Sequence, residues 1–328
     1  MDIELHSPLR GMKVNIWRDF LQKAGLTADE TVQQTVLLWE DGQLITTGSR
    51  TGNLLKCIAV DPSRQGEGLL AKVLTALRQE AFREGHNQLF LYTKPRNEFL
   101  FADLMFYPVA QTGDVLLMED RRDGICQFIK ELPAGIHSGK VGAAVMNCDP
   151  FTLGHQYLVE TAAKDCDHLY VFVLSEDKGY FSTADRLEMV RRGTAHLPNV
   201  TVLPTGPYLI SSATFPTYFL KNRDQAGQVH CQLDVEIFAR YFAPAFSIKA
   251  RYVGTEPLSP LTEQYNAVLK AQLPTRGIQV VEVPRLAQNG TPVSASAVRA
   301  ALQARDRIAL MALVPPTTFS YLEAQQRI

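Results

Sequence analysis

The spacing of hydrophobic and polar positions changes character near the middle of the chain. Up to about residue 132, strand-like and helix-like patterns are mixed. "TVLLWEDGQLITTGSRTGNLLKCIAV", starting at Thr35, reads as three strands with turns at Asp41-Gly42 and Thr51-Gly52. "LLAKVLTALRQEAFREG" carries apolar residues at helical spacing and stops at Gly85. "QLFLYTK" and "DVLLMED" read as further strands, with "FLFADLMFYPVA" as a helix and turn between them. "ELPAGIHSGK" has Pro, Gly and Ser but no apolar period, and is expected to be a linker. From Val141 onward "VGAAVMN", "HLYVFVLS", "VTVLP", "KARYVG" and "IQVVEV" are continuous apolar runs separated by helical patterns. Such runs suit parallel strands buried on both faces. The expected fold class is α/β: an α+β domain over 1–132, a linker over 133–140, and a doubly wound parallel sheet over 141–328.

A doubly wound sheet binds its ligands outside the carboxyl ends of its strands. That directs attention to "VGAAVMNCDPFTLGHQYLVE", Val141 to Glu160, where an apolar strand expected to end at Asn147 meets a polar turn and a helix. Pro150 delays the helix, Thr152 is placed to cap it and Gly154 allows close approach of a ligand. His155 falls in the first turn, where free N–H groups and the helix dipole favour anions. A capped helix with a surface histidine would give the same letters; the strand before and the helix behind favour a phosphate site. Downstream, "TPVSASAVRAALQ" sets Ser294 as an N-cap, Ser296 in the first turn and Arg299 three residues further on. A guanidinium suits phosphate through its planar fork. Taken alone, this stretch reads more readily as an ordinary capped helix with a solvated arginine.

Composition narrows the rest. Hydrophobic residues make up 46% and charged residues 20% of the 328, and the formal net charge is -1, so no basic field points to nucleic acid. No apolar run approaches the roughly 18 residues of a membrane span, and "MDIELHSPLRGMKVNIW" lacks the pattern of a signal peptide. The five cysteines form no CxxC pair, so neither a zinc site nor a disulfide framework is expected; a cytoplasmic location fits. Cys148 lies inside the phosphate turn without a visible base, which favours a packing role.

The pair Thr152-Leu-Gly154-His155 and Ser294-Ala-Ser296-Ala-Val-Arg299 resembles the signatures of the nucleotidylyltransferase superfamily. "KGYFSTADRLEMV" is similar to that family's second crossover, with Lys178 and Arg186 in its basic places. More narrowly, "MNCDPFTLGHQYLVE", "ISSATFPTYFL", "YVGTEPLSPLTEQYN" and "VSASAVR" together resemble the citrate lyase ligase family over nearly the whole chain. "IAVDPSRQGEGLLAKVLTAL" resembles the pyrophosphate-wrapping turn of GNAT acetyltransferases, with Leu70 where Gly or Ala is usual. A purely structural GNAT-like domain would carry the same turn.

The resemblance implies an enzyme that activates acetate with ATP and Mg²⁺ to acetyl-adenylate, then acetylates the thiol of the citrate lyase acyl carrier protein. It implies catalytic roles for His155, Thr152, Lys178 and Arg299. It implies ATP contacts at Asn147, Pro150, Phe151, Gly154, Gly254, Thr255, Glu256, Ser294 and Ser296. It further implies a carrier-arm cradle at Gln65, Gly66 and Gly68, and an acetate pocket near Ser211 to Thr217. No residue set for a metal is assigned. An adenylyltransferase acting on a phosphorylated acceptor such as phosphopantetheine, and a non-catalytic CoA-sensing module, remain as alternatives.

Overall fold

The computed structural model describes residues 1–135, 137–176, 179–210, 215–220, 226–255, 260–288 and 291–328. Its backbone contacts group into two compact units: Met1–Gly124 with Phe215–Val229, and Ile125–Thr214 with His230–Ile328. The grouping breaks at Gly124/Ile125 rather than in 133–140. It also returns the chain to the first unit at Phe215, which no local sequence pattern signals.

The first unit is built on a seven-stranded sheet of order β1-β2-β3-β4-β5-β7-β6. Its strands are β1 (Asp2–His6), β2 (Gln34–Glu40), β3 (Gln43–Thr51), β4 (Leu54–Val60), β5 (Phe90–Thr93), β6 (Tyr107–Gln111) and β7 (Leu116–Glu119). The turns at Asp41-Gly42 and Thr51-Gly52 fall where the Gly residues predict them, with Gly42 and Gly52 at positive φ. β4 and β5 run parallel and pair only at Leu54–Phe90 and Leu55–Leu91, then part. The helices here are α1 (Met12–Lys23), α2 (Leu69–Arg83) and α3 (Glu98–Ala102). α2 buries Leu69, Leu70, Val73, Leu74, Leu77 and Ala81 along one face, against Val36, Leu38, Leu55 and Leu91 of the sheet. Leu70 therefore points largely into the core. β1 and α1 lie outside the pattern read from sequence, because β1 exposes three of its five residues and α1 buries only Trp17 and Leu21.

The second unit begins with α4 (Gly124–Glu131) and holds a five-stranded parallel sheet of order β10-β9-β8-β11-β12. These strands are β8 (Val141–Met146), β9 (His168–Val173), β10 (Val200–Pro204), β11 (Ala250–Gly254) and β12 (Gln279–Val283), each where an apolar run predicts it. All six residues of β9 are buried, as a central parallel strand requires. The helices are α5 (Leu153–Asp165), α6 (Thr183–Thr194), α7 (Ala226–Ile237, grouped with this unit from His230 on), α8 (Ala243–Ala245), α9 (Pro260–Gln272), α10 (Ala295–Ala304), α11 (Arg307–Leu313) and α12 (Pro316–Ala324). A short hairpin of β13 (Ala287–Gln288) and β14 (Thr291–Pro292) precedes α10. The chain leaves β8 for β9 on one side of the sheet and later places β11 on the other. The crevice between β8 and β11 is therefore the topological switch point, where ligands of such sheets bind. Among the described residues no helix is long and apolar enough to cross a membrane.

Candidate functional site

A cavity of about 240 Å³ opens at this switch point. Of the residues read from sequence, it brings together Asn147, Thr152, Gly154, His155, Gly254 and Thr255. Arg251, Tyr265, Asn266, Arg285 and Ala295 also line it.

Its wall is the start of α5. Thr152 is the N-cap: its hydroxyl accepts from the N–H of His155 at 3.3 Å, while its own N–H donates to Nδ1 of His155 at 3.1 Å. The pair is a capping box with histidine in the place usually held by glutamate. His155 is thus the third residue of α5, within its first turn. Because Nδ1 accepts a backbone proton, the neutral ring carries its own proton on Nε2. Burial, and then the charge of Arg285, push the imidazole pKa from 6.5 down to about 4. The ring stays neutral at ordinary pH and offers one N–H donor beside the free amides of a helix N-terminus. A Cβ on Gly154 would sit 3.2 Å from the carbonyl oxygen of Val293. The glycine thus lets the start of α5 approach the segment leading into α10, as well as lining the cavity.

Asp149 ties three chain segments together. Its Oδ2 accepts from the N–H of Tyr180 at 2.9 Å and its Oδ1 from that of Phe181 at 2.8 Å. Its carbonyl accepts from Arg299 at 2.5 Å, and Oδ2 lies 3.7 Å from the same guanidinium. Arg299 also donates to Ser296 Oγ at 3.1 Å, and Ser294 caps α10 by accepting from Ala297 N–H at 3.1 Å. The two sequence motifs therefore meet through Asp149, which no local spacing marks as a site residue. Its partners are 31, 32 and 150 positions away.

Other expected contacts are placed differently. Phe151 is fully buried and stacks on His155 with ring centres 5.9 Å apart, so it supports the imidazole rather than lining the cavity. Pro150 is buried in the turn, and neither Ser294 nor Ser296 lines the cavity, although both flank Ala295, which does. Arg186 is fully buried and donates to the carbonyl and Oδ1 of Asn147 at 2.9 and 2.6 Å, making it a scaffold for that turn. Cys148 is buried and burial raises its thiol pKa far above the ordinary value, in line with a packing role. Lys178, Glu256 and residues 211–214 lie outside the described residues. Phe215 packs on Tyr92 in the first unit and does not line the strand-end cavity.

The first unit has its own cavity, of about 680 Å³, lined by Gln65, Gly66 and Gly68 together with Lys94, Arg96 and Tyr218. Gly66 and Gly68 have φ of +87° and +69°, and a Cβ at either would meet nothing within 4 Å. The turn is therefore open in front of α2, whose N-cap is Gly68.

The family model described as "Citrate lyase ligase C-terminal domain" matches residues 141–322. A protein of Klebsiella pneumoniae named [Citrate [pro-3S]-lyase] ligase is 45% identical over 309 residues, 92% of this chain and 90% of its own. An Escherichia coli K12 protein of the same name is 38% identical, over 93% of this chain and 88% of its own. Among solved structures, Escherichia coli ElaA is similar over 37% of this chain and 99% of its own, at 11% identity and a TM-score of 0.32. Thermotoga maritima TmcAL, bound with alpha-thio ATP, is similar over 57% of this chain and 56% of its own, at 13% identity and a TM-score of 0.36.

Proposed function

The chain belongs to the citrate lyase ligase family, and from that premise we propose that this ligase makes acetyl-adenylate from acetate and ATP and passes the acetyl group to the thiol of the citrate lyase acyl carrier protein. The observation that carries the proposal is the pairing of Thr152 with His155 at the mouth of the switch-point cavity. It presents a neutral Nε2–H donor, capped helix amides and the Arg285 cation to one space.

In the first step a carboxylate oxygen of acetate attacks the α-phosphorus of ATP. The bond from that phosphorus to the bridging oxygen breaks, and pyrophosphate leaves with the electron pair. The thiolate of the carrier then attacks the acetyl carbon and expels AMP. Such a displacement asks the protein for positioning and for charge stabilisation rather than for covalent help. His155 Nε2–H, the α5 amides and Arg285 would meet the phosphates as charge develops. Arg299 and Ser296, held to the Asp149 turn, would serve the departing pyrophosphate from α10. Gly254, open to the cavity, and Thr255 would line the nucleoside side. Lys178 and Glu256 complete the proposed set. Mg²⁺ belongs with the nucleotide phosphates. Among the described residues no group of three or more His, Cys, Asp or Glu side chains is arranged to hold a metal, so no step is drawn through it. In the first unit, the open Gln65–Gly68 turn ahead of α2 would receive the pyrophosphate of a CoA-derived carrier arm.

The test is ATP–pyrophosphate exchange. The account expects exchange that requires acetate. Exchange that requires a phosphorylated acceptor would replace it with an adenylyltransferase, and absence of exchange would leave a binding module.

A further inference from the structure

Arg251 stands on β11 with 1% of its surface exposed and lines the same cavity as His155. Among the described residues its Nε and one terminal nitrogen have no hydrogen-bond partner. The guanidinium carbon lies 4.4 Å above the ring of Phe238, so one face is covered and the N–H edges are left for something else. On either side along the sheet it is paired with Ala143 and Val280, which supply no anion. Asp234 is buried and accepts from Tyr265 Oη at 2.5 Å. No hydrogen bond or ion pair joins Arg251 to Asp234 among the described residues. Keeping a guanidinium buried with open donors is unfavourable. A site that binds an anion in those donors offsets that cost only when loaded.

We propose that Arg251 is the residue that receives the carboxylate of the acid substrate, through the oxygen that does not attack phosphorus. The proposal rests on the ligase reading above. Two anions enter that reaction, the triphosphate and the acid, and in-line displacement needs the acid opposite the leaving pyrophosphate. The two anions therefore need separate cations. Arg299 is committed to α10 and the Asp149 turn, whereas Arg251 projects from the sheet beneath the crevice. Its neighbours also suit a short acid: Val145, Tyr252 and Val253 line the cavity with it and give the methyl group apolar surface. A planar fork is the side chain that fits a carboxylate in this setting.

Acetate and ATP titrations of pyrophosphate exchange on Arg251→Lys and Arg251→Met test this. Methionine keeps the volume and removes the buried charge, a change that interiors commonly tolerate, so a folded variant is available. One charge-assisted hydrogen bond corresponds to a rise in the acetate KM of roughly tenfold to a hundredfold in Arg251→Met, with the ATP KM within about twofold. Arg251→Lys should recover part of the loss. A raised ATP KM with unchanged acetate KM would make Arg251 a phosphate ligand and overturn the proposal. A lowered melting temperature with both KM values unchanged would make it structural, and would overturn it equally. If the wild-type protein shows no acetate-dependent exchange, the ligase reading itself fails, and the acid-binding role with it.

Discussion

The N–H of Thr152 donates to Nδ1 of His155 at 3.1 Å, and this bond decides which nitrogen of the imidazole faces the cavity with a proton. The capping box is therefore also a device for fixing a tautomer. His155→Ala removes the Nε2–H donor from developing charge, and losing one such donor costs about 10²–10³ in rate. Exchange kinetics on a variant with wild-type circular dichroism measure it; a fall under about threefold would contradict the role.

Burial of the same imidazole, with the Arg285 charge beside it, sets a pH dependence. The folded pKa of His155 lies near 4, below the ordinary 6.5, so between those values the unfolded chain binds the extra proton. The stability His155 contributes is fully present above pH 6.5 and is lost as pH falls through about 4. His155→Asn should flatten the acid limb of the melting temperature over that window. An unchanged limb would mean that the histidine titrates normally.

Arg299→Lys keeps the charge but gives up the fork that now joins Asp149 and Ser296. The ATP KM of exchange should rise roughly tenfold, the worth of one charge-assisted bond. Unchanged ATP dependence would make Arg299 a surface residue.

Asp149→Asn tests the hub. An amide presents only one acceptor oxygen, so it cannot accept from both Tyr180 and Phe181 N–H while its carbonyl holds Arg299. One buried donor is left unpaired, at a cost of about 1–3 kcal/mol. Chemical denaturation should register that loss together with a raised ATP KM, and stability equal to wild type would sink the hub.

Gly68→Asp concerns the first unit. Gly68 has φ +69°, and a Cβ there would meet no atom within 4 Å, so a side chain fits in space but is strained by about 1–3 kcal/mol. The added carboxylate would face an incoming pyrophosphate. Acetyl transfer to the carrier should fall relative to exchange, through a higher carrier KM. An unchanged ratio would reduce this unit to a scaffold.

How much of this was legible in sequence follows from the range of each interaction. The five parallel strands declare themselves because burial on both faces leaves an uninterrupted apolar run. Thr152, His155, Ser294 and Arg299 declare themselves because capping works over three residues. Asp149, Arg285 and Arg251 do not. Each acquires its meaning from partners brought together by the fold: Arg299 for Asp149, His155 for Arg285, and the Phe238 face for Arg251. Phe151 reads as a site residue because it lies in the right motif, but its ring is buried against His155 and does not line the cavity. Phe215 joins the first unit through Tyr92, a pairing across more than half the sequence distance between the two sheets' first strands and beyond any local pattern.

In the proposed reaction an acetate oxygen becomes bonded to the α-phosphorus of ATP. Turnover with doubly ¹⁸O-labelled acetate and the carrier protein, followed by mass spectrometry of the nucleotide, tests it most directly. AMP carrying one labelled oxygen, together with unlabelled pyrophosphate, is the expected result. Unlabelled AMP, or label in orthophosphate, would contradict it.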